Sequence, residues 1–159
     1  MRDNFASPGF TLIEMMVTVV IISILATVAF PMAEVAARRS KEQELRRGLR
    51  EIRNALDAYR TAVDEERIER VVGSSGYPKQ LRVLVEGVVD ARNPSGGRIM
   101  FLRRIPRDPF ADRELLAEQT WGLRSYESPP ENPKPGKDVF DVYSLSKQTG
   151  LNGVPYSEW

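Results

Sequence analysis

Hydrophobicity changes character twice along the chain. From Phe10 to Phe30 the residues are apolar almost without a break, the exceptions being Glu14 and the hydroxyls of Thr11, Thr18, Ser23 and Thr27. Coiled as a helix, this run reaches about 31 Å at about 1.5 Å per residue, which matches a bilayer's hydrocarbon core of about 30 Å. Past Pro31 the pattern turns amphipathic. Leu45, Leu49, Ile52, Leu56, Tyr59 and Val63 recur at steps of 4, 3, 4, 3 and 4, a single stripe of about five helical turns. Arg46, Arg47, Arg50, Arg53, Asp57 and Arg60 make up the other face, which reads as solvated. The spacing predicts a helix over 31–72, ended by Gly73, Ser74, Ser75 and Gly76. Pro31 removes one backbone hydrogen bond and predicts a kink or local melting there.

From residue 73 onward the signals are short and mixed. Pro78 starts a short helix with Leu81, Leu84 and Val85 facing inward. "NPSGGR" is a turn; its glycines lack the Lys-Ser/Thr ending of a phosphate loop. "IPRDPF", Ile105 to Phe110, is extended, because proline biases the residue before it away from helix. "QTWGLRSYE" and "DVFDVYSLS" are strand candidates. The second puts Val139, Asp141 and Tyr143 on one face and Phe140, Val142 and Ser144 on the other. Between them "SPPENPKPGK" is a Pro-rich loop, mobile or draped over a neighbour. In the tail, Tyr156 and Trp159 are expected to be anchored rather than frayed.

Composition removes whole classes of chemistry. The 159 residues include no Cys and no His, so disulfides, thiol nucleophiles, thiolate metal sites and the usual general base are excluded. A net charge of +1 gives no electrostatic reason to bind nucleic acid. A chain without thiols is also compatible with an oxidising compartment. What remains unexplained is Glu14. A carboxylate near a bilayer centre costs about 2.5–3.5 kcal/mol on insertion scales, and such residues are functional suspects.

A secretory signal has a shorter apolar core followed by a small-residue cleavage site. Here the small residue, Gly9, precedes the apolar run. "GFTLIE" heading such a run resembles the prepilin signature shared by type IV pilins and type II secretion pseudopilins. The resemblance implies a leader over 1–9, cut after Gly9 by a membrane peptidase that methylates the new N-terminal Phe10. It further implies a transmembrane and filament-core helix over 10–30. In a filament, Glu14 of one subunit would meet the cationic α-amine of its neighbour and set register. Counting positive charges alone, Arg2 against Arg38, Arg39 and Lys41, would place the leader outside. The resemblance implies the reverse, with the leader in the cytoplasm, the head in the periplasm and the basic residues beside anionic headgroups. A proline near position 31 also resembles pilin-like chains.

The head strengthens that likeness. "IPRDPF", "DVYSLS" and "GLNGVPYSEW" resemble the major pseudopilins of type II secretion. Pilins typically close a C-terminal loop with a disulfide, which this chain cannot form. "ADRELLAEQ", Ala111 to Gln119, departs from the family's short turn and reads as a helical insertion. The fold implied is α+β and type IV pilin-like: a long N-terminal helix, its first half transmembrane, packed on a small antiparallel sheet within a head over 73–159. The family often binds calcium in the C-terminal loop. Calcium takes six to eight oxygens, normally including carboxylates, and Val142 to Ser157 contains no Asp or Glu. Ser144, the Leu145 carbonyl, Asn152 and Glu158 are the available candidates.

The expected function is structural: a subunit of a periplasmic filament whose growth drives folded proteins through the outer membrane. The expected partners are other copies of the chain, the prepilin peptidase, minor pseudopilins, an inner-membrane assembly platform and, before assembly, lipid. A surface type IV pilus for attachment, motility or electron transfer is the alternative. A membrane-tethered enzyme would need paired carboxylates or a Ser–Lys couple. Asp138 and Asp141, Glu65 and Glu66, and Ser144 and Lys147 are the nearest approaches, and none stands out.

Overall fold

The computed structural model describes residues 9–93 and 95–159, with the side chain of Val28 left aside. Residues 1–8 of the leader expected over 1–9, Arg2 among them, lie outside the described residues. Its contacts form two compact units that divide between Arg39 and Ser40. Helix α1 covers Leu12–Asp64 and is followed by a one-turn α2, Val83–Glu86. Two antiparallel pairs follow: β1 (Val88–Val89) with β2 (Arg98–Ile99), and β3 (Trp121–Arg124) with β4 (Asp141–Ser144). The α+β class expected from the sequence is the one observed. The sheet is two separate ribbons, and the β1–β2 pairing, Val88 with Ile99 and Val89 with Arg98, was not anticipated.

In the second unit the amphipathic stripe of α1 is the floor of the core. Leu45, Leu49, Ile52, Leu56 and Val63 are all 5% exposed or less. The first four pack with Leu81, Leu84, Leu102, Trp121, Val139, Val142 and Tyr156, while Val63 packs with Ala62 and Ile68. Gly48 sits in the stripe, and a Cβ there would stand 3.2 Å from the Trp121 ring. The small residue lets the indole lie against the helix, where its N–H donates to the Pro106 carbonyl at 2.8 Å. The predicted solvated face is only partly so. Arg46, Arg47, Arg50 and Asp57 are exposed, but Arg53 and Arg60 fold inward from the edge of the stripe. Arg53 donates to Asp141 at 2.8 Å and to the Val142 and Trp159 backbone oxygens. Arg60 pairs with Asp64 and donates to the Ser75 carbonyl.

The helix ends eight residues earlier than residue 72, at Asp64. Glu66 takes a left-handed φ of 57°, and the N–H groups of Glu66 and Arg67 return to the Val63 and Ala62 carbonyls. This is a Schellman termination with glutamate where glycine is usual. It turns Ile68 back onto Ala62 and Val63, where Ile68 is 4% exposed. Glu65 and Glu66 therefore lie beyond the helix. Gly73 and Gly76, both at positive φ, shape a later turn instead.

Other local expectations hold or shift for identifiable reasons. The short helix starts at Val83 rather than just after Pro78, with Leu81 and Leu84 buried as expected. The Leu84 carbonyl accepts the N–H groups of both Phe101 and Leu102 at 2.9 Å. Within β4, Val142 and Ser144 are buried while Asp141 and Tyr143 are half-buried, as the alternation predicts. Val139 breaks it at 1% exposed: its N–H donates to the Pro78 carbonyl at 2.8 Å, which draws the chain inward before the strand begins. Gly122 lies under the Tyr143 ring, where a Cβ would come within 2.4 Å. The stretch 111–119 is not α-helical. It is a series of turns ending in a 3-10 turn, Ala117–Thr120, because the Arg107 guanidinium draws in the Asp112 and Leu115 carbonyls. The Pro-rich loop is internally bonded, with Ser128 contacting Asn132 and Lys134 and Ser125 bonded to Lys134.

Ile52→Ala is expected to lower the stability of this unit by about 2–5 kcal/mol, the usual cost of emptying a fully buried aliphatic site. Denaturant unfolding of the detergent-solubilised chain, followed by tryptophan fluorescence, measures it. A second prediction concerns acid. The Arg67 guanidinium, hydrogen-bonded to Asp90 at 2.7 Å, holds that carboxyl below its ordinary value of 3.8. The resulting stability is complete above 3.8 and is lost as pH falls through the lower folded value. Arg67→Ala should flatten that part of the acid-unfolding profile; superimposable profiles would contradict the pairing.

Candidate site of processing and assembly

In the first unit, α1 begins with a reciprocal cap. The Thr11 N–H and hydroxyl donate to Glu14 Oε2 at 2.9 and 3.0 Å, and the Glu14 N–H donates to Thr11 Oγ1 at 3.3 Å. Thr11 is thus the N-cap residue and Glu14 stands at N3, the arrangement of a capping box. The carboxylate has a local use in one chain: it satisfies a helix-start N–H that hydrocarbon could not. Sequence spacing carried this signal, since Thr11-x-x-Glu14 is the capping-box pattern ahead of an apolar run.

The apolar residues that follow are turned outward. Phe10 is 82% exposed and Phe30 73%, with Ile13, Met16, Val20, Ile24 and Leu25 all above half. The hydroxyls within the run bond back to their own helix: Thr18 to the Met15 carbonyl at 2.9 Å, Ser23 to Val19 at 2.8 Å and Thr27 to Ile24 at 2.6 Å. Such back-bonding removes the need for water. This stretch is long and apolar enough to cross a membrane. Gly9, beside the expected cut, is exposed, with open space around its α-carbon. The helix is continuous through Pro31, although a proline there deprives the Thr27 carbonyl of its usual donor.

The calcium candidates are dispersed in their roles. The Ser144 hydroxyl is fully buried and donates to Asp108 Oδ2 at 2.5 Å. Asn152 Oδ1 accepts the Val154 N–H at 3.2 Å. Leu145 is 53% exposed, and Glu158 is exposed on a 3-10 turn, Tyr156–Glu158. The described residues hold no cluster of three or more acidic, His or Cys side chains suited to a metal. One exposed carboxylate, one committed amide and one committed hydroxyl are a poor donor set for calcium, so the residues present do not fit the ion.

Two carboxylates that sequence reasoning passed over organise this region. Asp108, 2% exposed, holds Ser144 and the Phe110 N–H. Glu42, 7% exposed, accepts the Leu151 N–H at 2.7 Å and the Tyr156 hydroxyl at 3.0 Å through Oε1. Glu42 stands three residues before Leu45, so it extends the apolar stripe by one turn; a carboxylate in register with a buried face was the available clue. The acid pair weighed for catalysis is otherwise engaged: Asp138 with Ser75 and the Tyr126 N–H, Asp141 with Arg53 and Arg124.

A capped, outward-facing apolar helix behind Gly9 and an α+β head with its core on the same helix's second half define a pilin-like membrane protein. Comparison agrees. Residues 6–30 match the family described as the prokaryotic N-terminal methylation motif. The chain is 32% identical over 157 residues to the type II secretion system core protein G of Klebsiella pneumoniae, covering 94% of this chain and 88% of that protein. It is 26% identical over 147 residues to the protein of the same name from Klebsiella michiganensis, covering 88% and 95% respectively. No solved structure matches. The chain belongs to the type II secretion core protein G family, the major pseudopilins.

Proposed function

We propose that this chain is a structural subunit of the periplasmic pseudopilus that drives export of folded proteins through the outer membrane. The observation that carries the reading is the exposed apolar helix behind a methylation motif, in a chain similar to core protein G along nearly its whole length. The name those relatives share favours a secretion filament over a surface pilus. The chain supplies no chemistry of its own and acts by assembling.

In this account prepilin peptidase cuts between Gly9 and Phe10 and methylates the Phe10 amine. The product waits in the inner membrane, with its N-terminus in the cytoplasm, its 10–30 helix in lipid and its head in the periplasm. An assembly platform and minor pseudopilins then draw it into a filament whose core is the bundled 10–30 helices. Glu14 changes partners on assembly, from the Thr11 cap of its own helix to the cationic Phe10 amine of a neighbour. Two buried charges that pair cost less than either alone, and removing one costs about 3–5 kcal/mol. Pro31 weakens α1 where the membrane segment meets the continuation, so the helix can melt locally as subunits pack.

Paired substitutions separate capping from charge. Glu14→Gln keeps a side-chain oxygen able to close the capping box but carries no charge; Glu14→Ala removes both. Both variants are expected to insert in the membrane and to form no ordered filaments by electron microscopy, with secretion lost. Normal filaments from Glu14→Gln would overturn the charge-pairing role.

A further inference from the structure

We infer that the C-terminal loop of this head is closed by the helix-borne carboxylate Glu42 and needs no divalent cation. The family resemblance implies calcium in this loop, and the donors present do not suit it. Something else must hold residues 145–159, which contain little regular structure, against the core.

The loop first closes on itself. The Gly150 N–H donates to the Val154 carbonyl at 2.8 Å, Thr149 and Pro155 form a β-bridge, and Gly153 supplies the positive φ of 79° that the turn requires. Glu42 then fastens both ends of that turn to α1. Its Oε1 takes the Leu151 N–H at the tip and the Tyr156 hydroxyl at the base. Both bonds end on a carboxylate that is 7% exposed; the one from Tyr156 is buried and the one from Leu151 partly so, and a charged acceptor in a low-dielectric setting strengthens each. Both acceptor positions of that oxygen are thereby occupied by donors of the loop itself. Apolar contacts complete the closure. Tyr156 is fully buried, stacked on Phe110 at 4.2 Å and edge-on to Trp159 at 5.0 Å. The Arg46 guanidinium lies over the Trp159 ring at 4.3 Å, a cation–π contact that covers its outer side. A carboxylate thus sits where the loop has no acidic residue of its own, supplied from the helix beneath it.

The test uses the detergent-solubilised full chain and reads the head alone, so its failure is distinguishable from failure of the filament reading. Thermal unfolding is followed by tryptophan fluorescence in millimolar calcium chloride and in millimolar EGTA. The two midpoints are expected to coincide. A ligand present far above its dissociation constant and bound only to the folded state raises the midpoint by several degrees, so a rise of that size in calcium would overturn the inference. Limited proteolysis with C-terminal mass mapping is run on wild type and Glu42→Gln. The variant is expected to be cut faster within 145–159, with no protection from calcium, while cleavage elsewhere stays unchanged. A wild-type cleavage pattern in Glu42→Gln, or protection of that segment by calcium in either protein, would also overturn it.

Discussion

The face of α1 from Glu42 to Val63 is the surface on which the head is built. The head's strands are two to four residues long, in ribbons of two, and an isolated two-stranded ribbon is marginal in water. They persist because each is fastened to the helix. Trp121 of β3 lies against Gly48, Asp141 of β4 is held by Arg53, and the β1–β2 hairpin rests on Ala62 and Val63 through Val88 and Ile99. The C-terminal loop closes on Glu42. One helical face therefore sets the position of both ribbons and the tail.

The same helix has opposite requirements in its first half. There the side chains face outward and the polar groups are satisfied internally, by the Thr11–Glu14 capping box and by hydroxyls bonded to the preceding turn. Such a segment is at ease in lipid or among copies of itself and has nothing to gain from water. The division between the two halves falls in the contacts near Arg39, where apolar residues on all sides give way to a single stripe. In one chain the charge inside the apolar half serves as a cap; on the proposed function it would also meet a neighbour's amine in the filament.

Much of this was legible in advance. The membrane-length run, the stripe from Leu45 to Val63, the two central strands and the anchoring of Tyr156 and Trp159 follow from periodicities that burial enforces. What escaped depended on single residues doing something uncommon for their type. The helix end at Asp64 was hidden because Glu66, not glycine, takes the left-handed position. The inward turns of Arg53 and Arg60 follow from distant backbone acceptors that no local pattern encodes. Glu42 and Asp108 looked like surface acids, since their partners stand 109, 114 and 36 residues away in sequence. The processing roles proposed for Gly9 and Phe10 rest on the resemblance and the motif match, since a motif read by an enzyme leaves little trace in the geometry of the chain that carries it.

On the proposed function, this helix becomes an assembly element through cleavage and methylation at Phe10. Intact-mass and N-terminal fragment spectra of the membrane-extracted protein, from cells with and without prepilin peptidase, test it most directly. The expected result is a chain beginning at Phe10 and carrying one added methyl group, found only where the peptidase is present. A chain still beginning at Met1 in both strains would contradict it, for the amine that Glu14 is proposed to meet would not exist.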